Sequence, residues 1–370
     1  MRVAFLIPNY YEQRVGGAEY RAYLLAKHLQ ESGHDVHYIF IDNHAPFESD
    51  SEIHLVPIAR MRWPERLGTN TLMYRQRVIK ALDGICPDIV YQTHGCAWTG
   101  IAAEYCRSHK CKMVWHIASS PDVEKVCIIR WWRSPQTLVE RRWLHYGICH
   151  SSVIVGQAHY QDKLLGQNFK RSCDAIVPNW HPYPPEHIQR ARSPVKVLWI
   201  ANIKPSKQPK VFIRLAARLC QHVEASFIMA GRAGGRIYQR SVEKMLARAS
   251  QIDYRGELRM ADVNALLAKS HILVSTSQYE GFSNTFIQAW MRGVPVVSLN
   301  VDPDDVIARY GLGYHSHTFD RLCMDTRRLI QDPQLRDAMG EAARKYAFEN
   351  HSLANLSAMT ELFRSAALSL

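Results

Sequence analysis

The chain reads as an α/β protein made of two parallel-sheet domains, and three observations carry that reading. Its 370 residues exceed what one core usually organises and suit two domains. Short apolar runs that read as buried strands alternate with amphipathic stretches, first over residues 2–180 and again from Val195 onward. Between the two series lies His181-Pro-Tyr-Pro-Pro185, whose prolines mark a linker. The expected division is a first domain over 1–183, a second over 184–351, and a closing helix over 352–370.

Composition narrows the function classes. Hydrophobic content of 47% with 22% charge describes an ordinary globular protein. No run approaches the roughly eighteen apolar residues of a membrane span. The opening Met1-Arg-Val-Ala-Phe-Leu-Ile-Pro8 is too short for a signal sequence and reads as a first strand. Nine scattered cysteines without a C-x-x-C pair predict reduced thiols in a cytoplasmic protein, not a disulfide framework or a zinc site. Net charge is +12, and residues 60–171 carry seventeen Lys/Arg against eight Asp/Glu. That excess suits anionic partners, such as nucleotide phosphates or acidic lipid headgroups, or is a solvated basic face. No zinc spacing or base-stacking motif points to nucleic acid.

In order, Arg2–Ile7 reads as a strand, Gly16-Gly17-Ala-Glu19 as the turn into a helix through Ser32, and Val36–Ile41 as the next strand. The glycine pair lets backbone approach a phosphate or sugar closely, or is a plain turn. The full G-x-G-x-x-G is absent, so no NAD site is indicated. Asp88–His94 and Lys112–Ile117 are further strands, each ending near a histidine, with a helix over Ala97–Ser108 between them. Residues 124–147 mix cations with Trp131, Trp132 and Trp143. That mixture fits docking on an anionic membrane, and equally a helix packed on its own domain with snorkelling arginines. Ser152–Val155 and Ala175–Trp180 close the first strand series.

The second series runs Val195–Ala201, a loop Asn202–Pro209, a helix Val211–Gln221, a strand Ala225–Gly231, a strand near Ile252, and a helix Met260–Lys269. The stretch after it is the most informative. His271–Thr276 reads as a buried strand, Glu280-Gly281-Phe282-Ser283-Asn284-Thr285 as a loop entering a helix, and Gly293 as the stop before Val294–Ser298. Such a loop lies at a strand's carboxyl end, where open α/β sheets bind ligands. A carboxylate there suits the hydroxyls of a sugar, or Glu280 is incidental to a capped turn. Asp302-Pro-Asp304 reads as a turn, not a metal site. Phe319–Asn350 and Ser352–Ser369 read as helices.

The segment Glu280-Gly-Phe282 with Gln288-Ala289 and Gly293-Val-Pro-Val-Val297 resembles the signature of the retaining glycosyltransferases of family 4, written Glu, seven residues, Glu. Here glutamine stands second. The likeness covers nearly the whole chain, strongest over 270–300 and weakest over 44–80. It implies two Rossmann-like domains facing a cleft, the GT-B fold, with the last helix crossing back to the first domain. It implies that Gly16 and Gly17 face a nucleotide-diphosphate-sugar donor, UDP- or GDP-linked. It places His116 and Glu280 as catalytic groups at the donor sugar, with His94 on the acceptor side or merely structural. Lys207, with Lys204 nearby, stands for the diphosphate cations, although Asn202 occupies the position where relatives carry arginine. Gly281, Phe282, Ser283, Asn284 and Thr285 would line the donor, Gln288 would hold the ribose, and Arg255–Leu258 would cradle the base. No metal or other cofactor is implied. The expected reaction is hexosyl transfer to a saccharide or lipid-linked acceptor in cell-surface polysaccharide or glycolipid synthesis, in the cytoplasm or at the inner face of the plasma membrane. The alternatives are another enzyme of the same fold, such as a nucleotide-sugar epimerase, or a non-catalytic protein binding nucleotides or anionic membrane.

Overall fold

The computed structural model describes residues 1–13, 16–43, 52–61, 71–124, 135–184, 188, 190–232 and 236–369. The chain forms two compact units, one of Met1–Trp180 with Leu353–Leu370 and one of His181–Ser352. In the first, the elements are β1 (Arg2–Leu6), α1 (Gly17–Glu31), β2 (Asp35–Asp42), β3 (His54–Ala59), α2 (Arg75–Ile85), β4 (Ile89–Thr93), α3 (Ala97–Ser108), β5 (Lys112–His116), α4 (Ser120–Val123), α5 (Pro135–His150), β6 (Val153–Gly156), α6 (His159–Phe169) and β7 (Ala175–Ile176). Its sheet has the order β3-β2-β1-β4-β5-β6-β7, and every pairing is parallel. Parallel strands covered on both faces need apolar residues on both, which is why Val3, Ala4, Phe5 and Leu6 are all fully buried.

The second unit contains β8 (Val195–Ile200), α7 (Pro209–Leu219), β9 (Ala225–Ala230), α8 (Arg236–Leu246), β10 (Ile252–Tyr254), α9 (Met260–Ala268), β11 (Ile272–Ser275), α10 (Asn284–Trp290), β12 (Val296–Ser298), α11 (Val306–Tyr310), β13 (Gly313–His315), α12 (Phe319–Gln331) and α13 (Pro333–Asn350). Its parallel sheet has the order β10-β9-β8-β11-β12-β13. The last helix, α14 (Ala354–Leu368), buries Leu356, Met359 and Phe363 in the core of the first unit beside Phe5 and Tyr91. Each unit is thus a Rossmann-like sheet with helices on both faces. In each, the strand order reverses at one point, between β1 and β4 and between β8 and β11. Chains that leave the carboxyl ends of those strands part to opposite sides and open a crevice there.

Several elements differ from the sequence reading. The strand expected over Ala175–Trp180 is only Ala175–Ile176, because Pro178 has no N–H to continue a ladder. The helical run Phe319–Asn350 breaks at Asp332-Pro333, where Asp332 Oδ1 accepts from the Leu335 N–H at 2.9 Å and starts α13 anew. Trp131 and Trp132 of the basic segment lie outside the described residues, as does Pro185. Trp143 of the same segment lies against the first core, where a Cβ on Gly100 would sit 2.4 Å from its carbonyl oxygen. Among the described residues no helix is long and apolar enough to cross a membrane.

Candidate functional site

In the second unit the crevice is built by the loops after β8 and β11. Thr276 Oγ1 donates to the carbonyls of Lys207 (2.7 Å) and Gln208 (3.1 Å), and Gln278 N–H donates to Ser206 O at 2.8 Å. Trp199 on β8 donates its indole N–H to the same Thr276 oxygen at 2.9 Å. These bonds lock the two loops together, and the result is an ion pair between Lys207 Nζ and Glu280 Oε1. The side chains are 22% and 18% exposed, so the pair is open to solvent on one side. Two residues expected at the donor, 73 positions apart, therefore meet.

The rest of that loop is mostly inside. Gly281, Phe282 and Ser283 are buried, and the Phe282 ring lies 4.6 Å from His351 and 6.1 Å from Trp290. Asn284 and Thr285, half-buried, open α10. Gln288 is buried, and its amide donates to Asn264 Oδ1 at 3.1 Å and reaches Met260 Sδ at 2.9 Å, both on α9. Lys204 stands exposed at the start of the turn that ends in Lys207. Asp302 accepts from the N–H groups of Ile307 (2.8 Å) and Ala308 (3.1 Å), which makes it a brace for α11. Burial pushes its carboxyl up from the usual range.

In the first unit Gly16 is extended and α1 starts at Gly17. A Cβ on Gly16 would sit 2.1 Å from Glu19 Oε2, so the glycine leaves room for that carboxylate to fold back on its own helix start. Buried Glu19 accepts from Asn9 Nδ2 at 3.3 Å and pairs with His94 Nε2 at 3.3 Å. His94 itself has a left-handed backbone, φ 76°, held by Gln92 Nε2 and Thr99 Oγ1 donating to its carbonyl at 2.8 and 3.2 Å. Burial lowers the His94 pKa, but the charge and hydrogen bond of Glu19, with Asp122 behind, carry it above the ordinary value. A carboxylate, an imidazole and a solvent-facing ring edge at a sheet's carboxyl end can bind a hydroxyl or handle a proton.

His116 lies one strand away and is completely buried. Its Nδ1 is 3.0 Å from the Tyr91 hydroxyl, and among the described residues its Nε2 has no hydrogen-bond partner. Burial, and then the charge of Arg21, hold its pKa well below the ordinary value, so the ring is neutral. Arg21 is buried as well and donates to Asn179 Oδ1 and Thr93 Oγ1, both at 2.8 Å. Sequence reasoning passed over Glu19, Arg21 and Asp122. Only Glu19 carried a signal, as the first acid after the glycine pair.

Comparison with known proteins gives two family matches. Residues 15–180 match the family model "Glycosyltransferase Family 4", and residues 186–346 match "Glycosyl transferases group 1". The chain spans about a third or less of the length of the curated relatives it matches. One is the Vi polysaccharide biosynthesis protein VipC/TviE of Salmonella typhi, 36% identical over 93 residues, which is 25% of this chain and 16% of that protein. Among solved structures, sucrose-phosphate synthase of Thermosynechococcus elongatus superposes with a TM-score of 0.81 at 13% identity over 100% of both chains. Anabaena HepE in complex with UDP superposes at 0.72 and 15% identity, over 99% of this chain and 100% of that one. At such identities these likenesses establish the fold, which is GT-B.

Proposed function

Because the chain belongs to glycosyltransferase family 4, we propose that it transfers a hexose, with retention of configuration, from a UDP- or GDP-linked donor to a saccharide or lipid-linked acceptor. The observation that carries this reading is the partly exposed Lys207–Glu280 pair at the switch point of the second sheet. Sugar transfer requires charge stabilisation on a leaving diphosphate and hydrogen bonds to the sugar it leaves. A lysine supplies the first and a carboxylate the second. In this structure the two neutralise each other. A donor entering between them gives Lys207 a phosphate and Glu280 a sugar hydroxyl.

The remaining residues take supporting parts in this proposal. In the tautomer where Tyr91 donates to Nδ1, His116 carries its hydrogen on Nε2, which has no partner among the described residues and favours a sugar oxygen placed against it. Gln288, whose amide is spent on Asn264, keeps its carbonyl oxygen for a ribose hydroxyl. Gly281–Thr285 shape the donor floor, Lys204 adds charge beside Lys207, and Gly16 and Gly17, at the start of α1, are the donor-side glycines of this scheme. Catalysis by these groups needs no metal in our scheme. The named polysaccharide-synthesis relative supports an acceptor in cell-surface glycan assembly. The basic stretch 60–171 supports working at the anionic inner face of the plasma membrane. HepE was solved with UDP, which favours UDP over GDP as the leaving group.

The test is a thermal-shift and calorimetric comparison of UDP, GDP, uridine and guanosine on the parent and on Lys207→Ala. One diphosphate should bind the parent, and the variant should lose about tenfold or more of that affinity while nucleoside binding is kept. Equal losses for diphosphate and nucleoside would take Lys207 out of this role.

A further inference from the structure

The carboxyl edge of the second sheet carries a row of charges that the scheme above uses only in part. Along the order β10-β9-β8-β11, the loops contribute Glu257, Arg232, Lys207 and Glu280. Of these four, the two cations lie in the middle and a carboxylate at each end, with Lys204 also on the lysine loop. Neighbouring strands are about 4.8 Å apart, so the two cations belong to adjacent strand ends. Register fixes this placement. Ile200 pairs with Ala230, and the Ile203 N–H donates to Arg232 O at 2.8 Å, which sets Arg232 alongside the start of the lysine loop.

The backbone at Arg232 is firmly held, and its side chain is not. Gly231 N–H donates to Gly256 O at 2.7 Å, and the Tyr254 hydroxyl donates to Gly231 O at 3.0 Å. Gly231 has φ 157°, and a Cβ there would meet Ala201 O at 1.8 Å, so the strands approach as closely as glycine permits. Among the described residues the guanidinium has one ionic partner, Glu257, with Nε 3.8 Å from Oε1. That is too long for a hydrogen bond, and the side chains are 34% and 54% exposed. An exposed pair of this length contributes little and is easily exchanged.

We infer that Arg232 is a further binding residue for the diphosphate of the nucleotide donor, acting with Lys207. This rests on the transferase reading. Two phosphates present more charge than Lys207 neutralises alone, Lys204 adds a point charge without a planar fork, and Lys207 already has Glu280 to leave. A guanidinium on the next strand end offers a planar pair of donors to phosphate oxygens. On binding, Arg232 exchanges Glu257 for phosphate as Lys207 exchanges Glu280, and both carboxylates are left at the ends of the row.

Calorimetric titration of UDP, GDP, uridine and guanosine into the parent, Arg232→Ala, Arg232→Lys and Glu257→Gln tests this. Arg232→Ala should weaken the diphosphate that the parent binds by about tenfold or more and leave the nucleoside unchanged. Arg232→Lys should recover part of the loss, and Glu257→Gln should bind at least as tightly as the parent. Parent-like diphosphate affinity in a folded Arg232→Ala would overturn the inference. So would an equal loss for the nucleoside, which would assign Arg232 to the base. If Lys207→Ala loses diphosphate and Arg232→Ala does not, the transferase reading stands and this inference alone falls. If the parent binds neither diphosphate, both fall.

Discussion

Replacing Glu280 by glutamine should move two measurements in opposite directions. In this structure Glu280 holds the ammonium that the donor diphosphate needs. Both side chains are about a fifth exposed, so solvent screens the pair, and its contribution is about 0.5–1 kcal/mol. Glutamine keeps the shape and removes the competing charge. Freed of that competition, Lys207 should bind UDP or GDP about two- to fivefold more tightly, at 1.4 kcal/mol per factor of ten. The same substitution takes a charged acceptor from the reacting sugar. Loss of one such contact in the transition state typically lowers kcat by about 10²–10³-fold. Isothermal titration with the free nucleotide gives the first quantity, and initial rates of nucleotide-sugar consumption give the second. Weaker nucleotide binding in Glu280→Gln, or a kcat equal to the parent's, would refute the exchange of partners on which the argument rests.

Three other outcomes follow from the geometry. His94 should titrate above the ordinary histidine value by NMR, and both Glu19→Gln and Gly16→Ala, which pushes the carboxylate aside, should bring its pKa down. Arg190 donates to the carbonyls of Ala268 (3.0 Å), Gly293 (3.4 Å) and Arg292, at the ends of α9 and α10. Arg190→Ala should therefore destabilise the second unit by about 2 kcal/mol, read as a shift in urea midpoint. His181 is buried and its pKa is lowered to about 4 by desolvation, while an unfolded chain takes up that proton near pH 6.5. The sign is then fixed: stability is full above pH 6.5 and declines as pH falls toward 4, by about 3 kcal/mol for this residue at most. His181→Phe should flatten that decline in urea denaturation measured from pH 7 to 4.

Much of the fold could be read from the chain because buried parallel strands are unbroken apolar runs. His271–Thr276, Ser283 at the helix start and Gly293 at its stop bracket β11, α10 and β12 closely. The strand β3 was missed because its His54, Pro57 and largely exposed residues suit the sheet edge it occupies. Lys207 and Glu280 could each be named from sequence, but their contact is a product of strand order and has no local signal. The same holds for Arg21 and Asn179, 158 residues apart and joined inside the first unit. The chain places Gln288 on the helix that follows the Glu280 loop, yet nothing local shows that its amide turns to Asn264 on α9. A strand-end histidine at 116 was visible. Its enclosure by Tyr91, Trp180 and Arg21 depends on three separate segments and was not.

The central claim is that Lys207 and Glu280 together act on a nucleotide-diphosphate-sugar. Phosphorus NMR of the parent, Lys207→Ala and Glu280→Ala, each incubated with UDP- and GDP-hexoses long enough to register slow transfer to water, tests it most directly. The account predicts that the parent releases UDP or GDP from one of these donors and that each variant does so at least about a hundredfold more slowly. Release at the parent's rate by either folded variant, or none from any donor by the parent, would contradict it.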